Sequence, residues 1–106
     1  MKIEDFNELN KTMIKDCLMT LNTKGHDYTV GSTEDALANF KLVAQRVGLT
    51  PLQVWSVYAT KHIDAVMTYI QKGELKSEPI QSRIMDTINY LLLLNGLIKE
   101  QEQLKS

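Results

Sequence analysis

The chain has 106 residues, 43% of them hydrophobic and 24% charged, and its formal net charge is −1. This size and composition are typical of one soluble globular domain, and the near-zero charge disfavours nucleic acid or a membrane surface as partner. The chain shows no signal pattern and no apolar run of the ~20 residues that span a bilayer. Cys17 is the only cysteine, so no internal disulfide can form, and we expect a cytoplasmic protein.

The first predicted element is an amphipathic helix over residues 3–21. Its apolar residues recur at steps of three and four: Ile3, Phe6, Leu9, Met13, Cys17 and Leu21. Cys17 lies inside this stripe, which indicates packing rather than a reactive thiol. Asn22 and Gly25 are typical stop signals, so residues 23–33 are predicted to form an ordered loop. This loop carries His26, Asp27 and Tyr28, which either brace a turn or reach into a ligand site.

Two further helices are predicted in the middle of the chain. The second covers residues 34–47, with Ser32 or Thr33 as its cap and Gly48 as its stop, and Asn39 and Phe40 lie at the edge of its apolar face. The third opens with a capping box over residues 50–53 and runs to about residue 71. Lys61 and His62 interrupt its apolar surface.

The last predicted helix follows Ser77, a candidate cap, and has Pro79 in its first turn, while the polar tail from residue 99 is expected to fray. Asp86, Asn89 and Tyr90 project from one side of this helix. Leu91–Leu94 cover its whole circumference, which predicts burial in a core or between subunits. With no strand pattern in the chain, we expect an all-α, four-helix bundle-like single domain over residues 1–106 that forms a homo-oligomer through its last helix.

The chemistry of the polar residues suits a nucleotide-like ligand. Aromatic rings can stack on a base, amides can pair with base edges or ribose hydroxyls, a carboxylate can accept from ribose, and cations can neutralise phosphate. The candidate ligand-binding residues are His26, Asp27, Tyr28, Asn39, Phe40, Lys61, His62, Asp86, Asn89 and Tyr90. The alternative is a buried polar network that fixes helix register, with an ion pair between Asp86 and Lys61.

Several catalytic chemistries lack their sequence signature. The glycines do not form a phosphate-binding loop, no cysteine pair marks a zinc site, and Cys17 has no nucleophile motif. Asp64 and Asp86 are the only acids in the interiors of the last two helices, which is thin provision for a two-metal site. We therefore assign no catalytic residue, no metal ligand and no cofactor.

Four short motifs follow one another in an order that resembles a known family. They are Lys24-Gly25-His26-Asp27-Tyr28, Asp35-Ala36-Leu37-Ala38-Asn39-Phe40-Lys41, Tyr58-Ala59-Thr60-Lys61-His62 and Asp86-Thr87-Ile88-Asn89-Tyr90-Leu91. Together they resemble the nucleotide modification associated domain 1 family of phage and prophage genomes, over about residues 10–98. That family is similar to the all-α, MazG-like nucleotide pyrophosphohydrolases. Those enzymes hold magnesium with Glu-x-x-Glu and Glu-x-x-Asp pairs, and this chain has neither pair.

The resemblance and the residues together imply a non-catalytic protein that binds a nucleotide or a nucleotide-derived small molecule. Such a protein could sequester a host signalling nucleotide or act in phage nucleotide metabolism, in the host cytoplasm. One alternative is a divergent pyrophosphohydrolase that uses magnesium with Asp86, Asp64 and acids of the first helix. A second alternative is a structural protein whose leucine-rich helix builds an oligomer.

Overall fold

The structure is a computed structural model that describes the backbone of residues 1–29 and 35–105 and the side chains of residues 1–23 and 35–105. These ranges contain four helices and no β-strand: α1 (Ile3–Thr29), α2 (Ala38–Val47), α3 (Pro51–Lys72) and α4 (Ile80–Lys105). The predicted all-α, bundle-like fold is therefore confirmed. Within the same ranges, no helix has the length and apolar character needed to cross a membrane.

The ends of α3 follow directly from local sequence. The Thr50 hydroxyl accepts the Gln53 N–H at 3.1 Å, and the Gln53 side-chain oxygen accepts the Thr50 N–H at 2.9 Å, so the predicted capping box is present. Pro51 opens the helix, where its missing N–H removes no helical hydrogen bond. Gly73 ends it at φ +77°, a left-handed conformation that favours glycine.

The predicted boundary between the first two helices is wrong. Helix α1 continues through Asn22 and Gly25 to Thr29, where we expected a loop. The Thr23 hydroxyl donates to the Met19 carbonyl one turn back, so it stays within the helical pattern, and one interior glycine costs a helix only ~1 kcal/mol. The candidate caps Ser32 and Thr33 lie outside the described residues.

Helix α2 begins at Ala38, four residues later than predicted. Asp35 forms a turn just before it: its carboxylate Oδ1 accepts the Leu37 N–H at 3.0 Å, and its carbonyl accepts the Ala38 N–H at 3.3 Å. An aspartate that bonds the backbone ahead of it competes with the helical pattern at its own position. Gly48 ends α2 at φ +73°, as predicted.

Helix α4 differs from the prediction at both ends. It begins at Ile80, so Ser77 lies too far upstream to cap it, and the Pro79 carbonyl accepts the Ser82 N–H at 3.1 Å. The tail predicted to fray is helical to Lys105. One tertiary contact reaches this tail, where Glu100 Oε1 lies 2.6 Å from Lys41 Nζ on α2. Lys41 Nζ also lies 2.8 Å from Asp35 Oδ2, so one ammonium joins two carboxylates.

The core lies where α2, α3 and α4 meet. Its buried residues are Phe40, Ala44, Val54, Leu93 and Leu97, with Leu21 of α1 packed against them. Cys17 is also fully buried, so the packing role predicted for it is confirmed. Burial, followed by the charges of Asp16 and Asp86, raises the pKa of the Cys17 thiol, and a protonated thiol is a poor nucleophile.

Large apolar side chains remain exposed on α1 and α4. The first half of the α1 stripe is uncovered, with Ile3 78% and Phe6 53% exposed. Leu93 is buried, but Leu91 is 53% exposed and Leu92 is 42% exposed. The expectation that all four leucines are buried therefore fails within one subunit.

Candidate functional site

The packing of α3 against α4 positions the polar residues of both helices. The Trp55 indole N–H donates to the Tyr90 carbonyl at 2.6 Å, and this bond ties the two helices together. The Trp55 side chain therefore lies against the side of α4 that carries Tyr90. Asp86 projects from the same side, one turn before Tyr90. His62 lies two turns after Trp55 on α3, so the same contact brings it beside Asp86.

We use the term His62 cluster for the side chains that contact His62 here, together with Asn89, which lies beside them on α4. It comprises His62, Arg83, Asp86, Asn89 and Tyr90. His62 Nδ1 lies 3.5 Å from Asp86 Oδ2 and 3.3 Å from Arg83 Nη1. The His62 ring also faces the Tyr90 ring, with 4.8 Å between centroids and 36° between planes.

The contact with Arg83 assigns the state of the His62 ring. A guanidinium group only donates hydrogen bonds, so Nδ1 must accept in this pair, and the ring proton of the neutral tautomer lies on Nε2. Burial is the largest cause that lowers the pKa of His62; Lys61 and Arg83 lower it further, while Asp86 and Glu78 oppose them. Both observations favour a neutral imidazole. His62 is only 7% exposed, and burial disfavours the charged form of its ring.

Arg83 and Glu78 were not among the residues singled out from the sequence. Arg83 Nε lies 2.6 Å from Glu78 Oε1, an ion pair without the angle of a hydrogen bond. A signal for Arg83 was available, because it precedes Asp86 by three residues and so lies on the same side of the helix. The sequence holds no comparable signal for Glu78, which lies ahead of α4.

Asn89 lies one turn from Asp86 on α4 and is only 5% exposed. Its carbonyl oxygen Oδ1 is buried and has no hydrogen-bond partner among the side chains and backbone that the structure describes. A buried acceptor without a donor costs ~1–3 kcal/mol, because the water that solvated it in the unfolded chain is not replaced. Within the described part of the chain, Asn89 is therefore the cluster residue whose buried acceptor lacks a hydrogen-bond donor.

The structure brings together only part of the predicted site. His62 contacts both Asp86 and Tyr90, as expected for a shared site, and Asn89 lies one turn from Asp86 on α4. The side chains of His26, Asp27 and Tyr28 lie outside those described. Lys61, on α3, is exposed to solvent.

Two candidate residues of α2 do not join the cluster. Phe40 is fully buried in the core, 6.3 Å from the Tyr58 ring, so the stacking role predicted for it is wrong: its ring presents no face to a ligand. Asn39 is half-buried beside it, and within the described residues no hydrogen bond or ion pair joins it to the His62 cluster.

The acidic residues do not converge. The ion pair considered between Asp86 and Lys61 is not formed, and Asp86 faces His62 instead. Asp64 points to solvent on α3. Among the described side chains, no group of three or more His, Cys, Asp or Glu is placed to hold a metal ion.

The neutral His62 leads to a pH prediction. Because folding lowers the pKa of His62 below its ordinary value of 6.5, the unfolded chain takes up a proton before the folded chain does as the pH falls. The unfolding free energy should therefore decrease below about pH 6.5 and be constant above it with respect to this group. Urea unfolding between pH 5 and 8 should show this loss.

The matched variant is His62→Gln, which removes the titration and keeps a polar group. The difference between wild type and variant isolates His62, since His26 contributes equally to both. Asp35, whose pKa is lowered by Lys41 and the Leu37 N–H, titrates below this pH range. Equal slopes for both proteins would show that His62 is not held neutral.

Comparison of the chain with known protein families, with curated proteins and with solved structures finds no significant match.

Proposed function

We propose that this protein binds a nucleotide or a nucleotide-derived small molecule without turning it over. The observation that carries the proposal is the buried Asn89 Oδ1, an acceptor without a hydrogen-bond donor in residues 1–23 and 35–105. A ligand amino or hydroxyl group that donates to Oδ1 would remove the cost of this unmet acceptor. Binding would then supply a hydrogen-bond donor to this buried oxygen.

The other cluster residues supply the remaining contacts that such a ligand requires. Tyr90 is partly exposed beside the His62 ring, and stacking of a base on an aromatic side chain is worth ~1–3 kcal/mol. The Asp86 side chain is 20% exposed and can accept from a ribose hydroxyl. Arg83 on α4 and the exposed Lys61, next to His62 on α3, provide positive charge for a phosphate.

Binding is favoured over hydrolysis by the placement of the acids. A magnesium-dependent pyrophosphohydrolase needs several carboxylates aimed at one point. In the described part of the chain Asp86 lies beside His62 on α4, whereas Asp64 is exposed on α3, so these two acids do not converge. With the resemblance to the nucleotide modification associated domain 1 family, this favours a cytoplasmic phage protein that sequesters a host signalling nucleotide or acts in nucleotide metabolism.

A thermal-shift screen tests the proposal. Nucleoside mono-, di- and triphosphates, cyclic nucleotides and ADP-ribose-type messengers are each tested with and without magnesium. A true ligand at 100 times its Kd stabilises the protein by ~2.7 kcal/mol, or a rise in Tm of about 10 °C. Tripolyphosphate is the matched control, because it carries the charge without base or ribose.

The proposal expects one nucleotide class to raise Tm, tripolyphosphate to have little effect, and chromatography to recover the ligand unchanged. Release of pyrophosphate or monophosphate that stops in EDTA would replace it with the hydrolase alternative. If no nucleotide raises Tm at millimolar concentration, the His62 cluster is a structural network.

Self-association is the second candidate function, and the exposed leucines of α4 favour it. Monomeric soluble proteins rarely leave large contiguous apolar surface in water. Leu91 and Leu92 are uncovered side by side in the chain, in the helix predicted to join subunits. We therefore propose a homo-oligomer, as a property independent of the ligand.

A further inference from the structure

The solvent side of α4 carries no charge over most of its length. The exposed residues between Ile80 and Ile98 are Gln81, Ile84, Leu91, Leu92, Asn95 and Ile98. A helix face that remains in water is normally rich in lysine and glutamate, whereas depletion of charge marks the centre of a protein interface. Lys99 is the first charged residue to appear on this side.

These residues follow a heptad pattern. Ile84, Leu91 and Ile98 are seven residues apart and occupy position d, while Ile88 and Asn95 occupy position a. Leu92 and Leu94 flank this line at positions e and g. Leu93, between them, points into the core of its own subunit. Of the four consecutive leucines, Leu93 therefore packs in the core, while the other three lie on or beside the line of positions a and d.

The other exposed apolar surfaces lack this character. On α3 the exposed residues Ile63, Met67 and Ile70 are bordered by the exposed charge of Asp64, which lies one turn before Met67. On α1 the exposed stripe that begins at Ile3 runs among acidic and basic side chains on every turn. The α4 face is therefore the surface best suited to burial against another protein.

We propose that α4 pairs with α4 of a second copy of this chain, as a parallel, in-register coiled coil of two helices centred on Leu91 and Asn95. This inference deepens the proposed self-association, on which it rests, by naming its surface and polarity. The surface is self-complementary, as a twofold interface requires, because each d residue meets its own counterpart. The seam from Ile84 to Ile98 is about 21 Å long at 1.5 Å per residue.

Asn95 determines the polarity of the pair. In a parallel, in-register dimer the two Asn95 amides face each other, and each amide N–H can donate to the other amide oxygen. In an antiparallel pair, positions a and d alternate across the seam, so Asn95 would face Leu91 and bury an amide without a partner. Glu102, at the next position a, ends the seam where like charges begin to repel.

Analytical ultracentrifugation of the full chain tests the surface. We expect wild type to dimerise and Leu91→Glu to weaken the dimer at least ~100-fold, because it replaces a central apolar contact with facing like charges. Met67→Glu, an equally exposed apolar residue on α3, is the control and should leave the dimer intact. Circular dichroism confirms that both variants remain helical.

An introduced cysteine tests the polarity independently of stability. Asn95→Cys should form a disulfide-linked dimer under mild oxidation, because position a residues of a parallel pair lie within disulfide reach. Thr60→Cys, exposed on α3, should remain monomeric on a non-reducing gel, and the native Cys17 is buried and gives no background.

The outcomes separate this inference from the broader proposal. A wild-type dimer that Leu91→Glu does not weaken would leave self-association standing and overturn the α4 surface. A dimer that Leu91→Glu abolishes, with no cross-link at position 95, would overturn the parallel register. A wild-type monomer up to millimolar concentration would overturn both proposals.

Discussion

Phe40→Ala is expected to reduce the free energy of unfolding by about 3–5 kcal/mol, the usual cost of truncating a buried phenylalanine. Phe40 is the largest fully buried side chain of the core and packs against residues of both α3 and α4. Alanine would leave a cavity that three helices cannot close without losing contacts elsewhere. A domain of this size has only about 5–15 kcal/mol in total, so the variant should unfold at far lower urea concentration.

The control for this prediction is Val57→Ala, which removes an exposed apolar side chain from α3. It should change the unfolding free energy by less than about 0.5 kcal/mol, as surface substitutions usually do. Urea unfolding followed by circular dichroism gives both values. A Phe40→Ala variant as stable as Val57→Ala would mean that Phe40 is not a core residue. Its ring would then be a candidate for stacking on a ligand base.

Asn89→Leu is expected to stabilise the free protein by about 1–3 kcal/mol and to abolish ligand binding. The stabilisation follows because leucine replaces, with apolar surface, a buried oxygen that has no donor among the described residues. The loss of binding follows because the same oxygen is the acceptor proposed for the ligand. A gain in stability paired with a loss of function is typical of residues kept for activity.

Both effects are measurable on one preparation, by urea unfolding and by calorimetric titration with the nucleotide found in the screen. Asn7→Leu, on the exposed part of α1, is the matched substitution and should leave stability and binding almost unchanged. A destabilised Asn89→Leu protein would contradict the assignment of an unmet acceptor. Undiminished binding would remove Asn89 from the site, whatever its effect on stability.

The sequence predicts those features of this fold that depend on neighbouring residues. The capping box at Thr50 and the glycine ends at Gly48 and Gly73 are local, and all three are confirmed. The ends of α1 and α4, by contrast, do not follow from the residues next to them in sequence. Helix α1 continues past Asn22 and Gly25 to Thr29, and Glu100 near the end of α4 contacts Lys41 of α2. Contacts of this kind have no periodic signature in the chain.

The sequence predicted which polar residues of α4 lie close together, but not which residue of α3 they contact. Periodicity correctly placed Asp86, Asn89 and Tyr90 on one side of a helix, but it did not specify which residue of α3 would meet them. Lys61 and His62 are adjacent in sequence and about 100° apart around the helix, so a small rotation decides which one faces Asp86. The packing of Trp55 against Tyr90 sets that rotation and selects His62.

The paired carboxylates around Lys41 have a practical consequence for anyone who expresses this protein. A domain boundary chosen from hydropathy would cut the chain soon after Ile98, where the composition turns polar. That cut would discard Glu100, and Lys41 would retain only Asp35 as a counter-charge. The turn of α4 that carries Glu100 therefore belongs inside any shortened version of the protein.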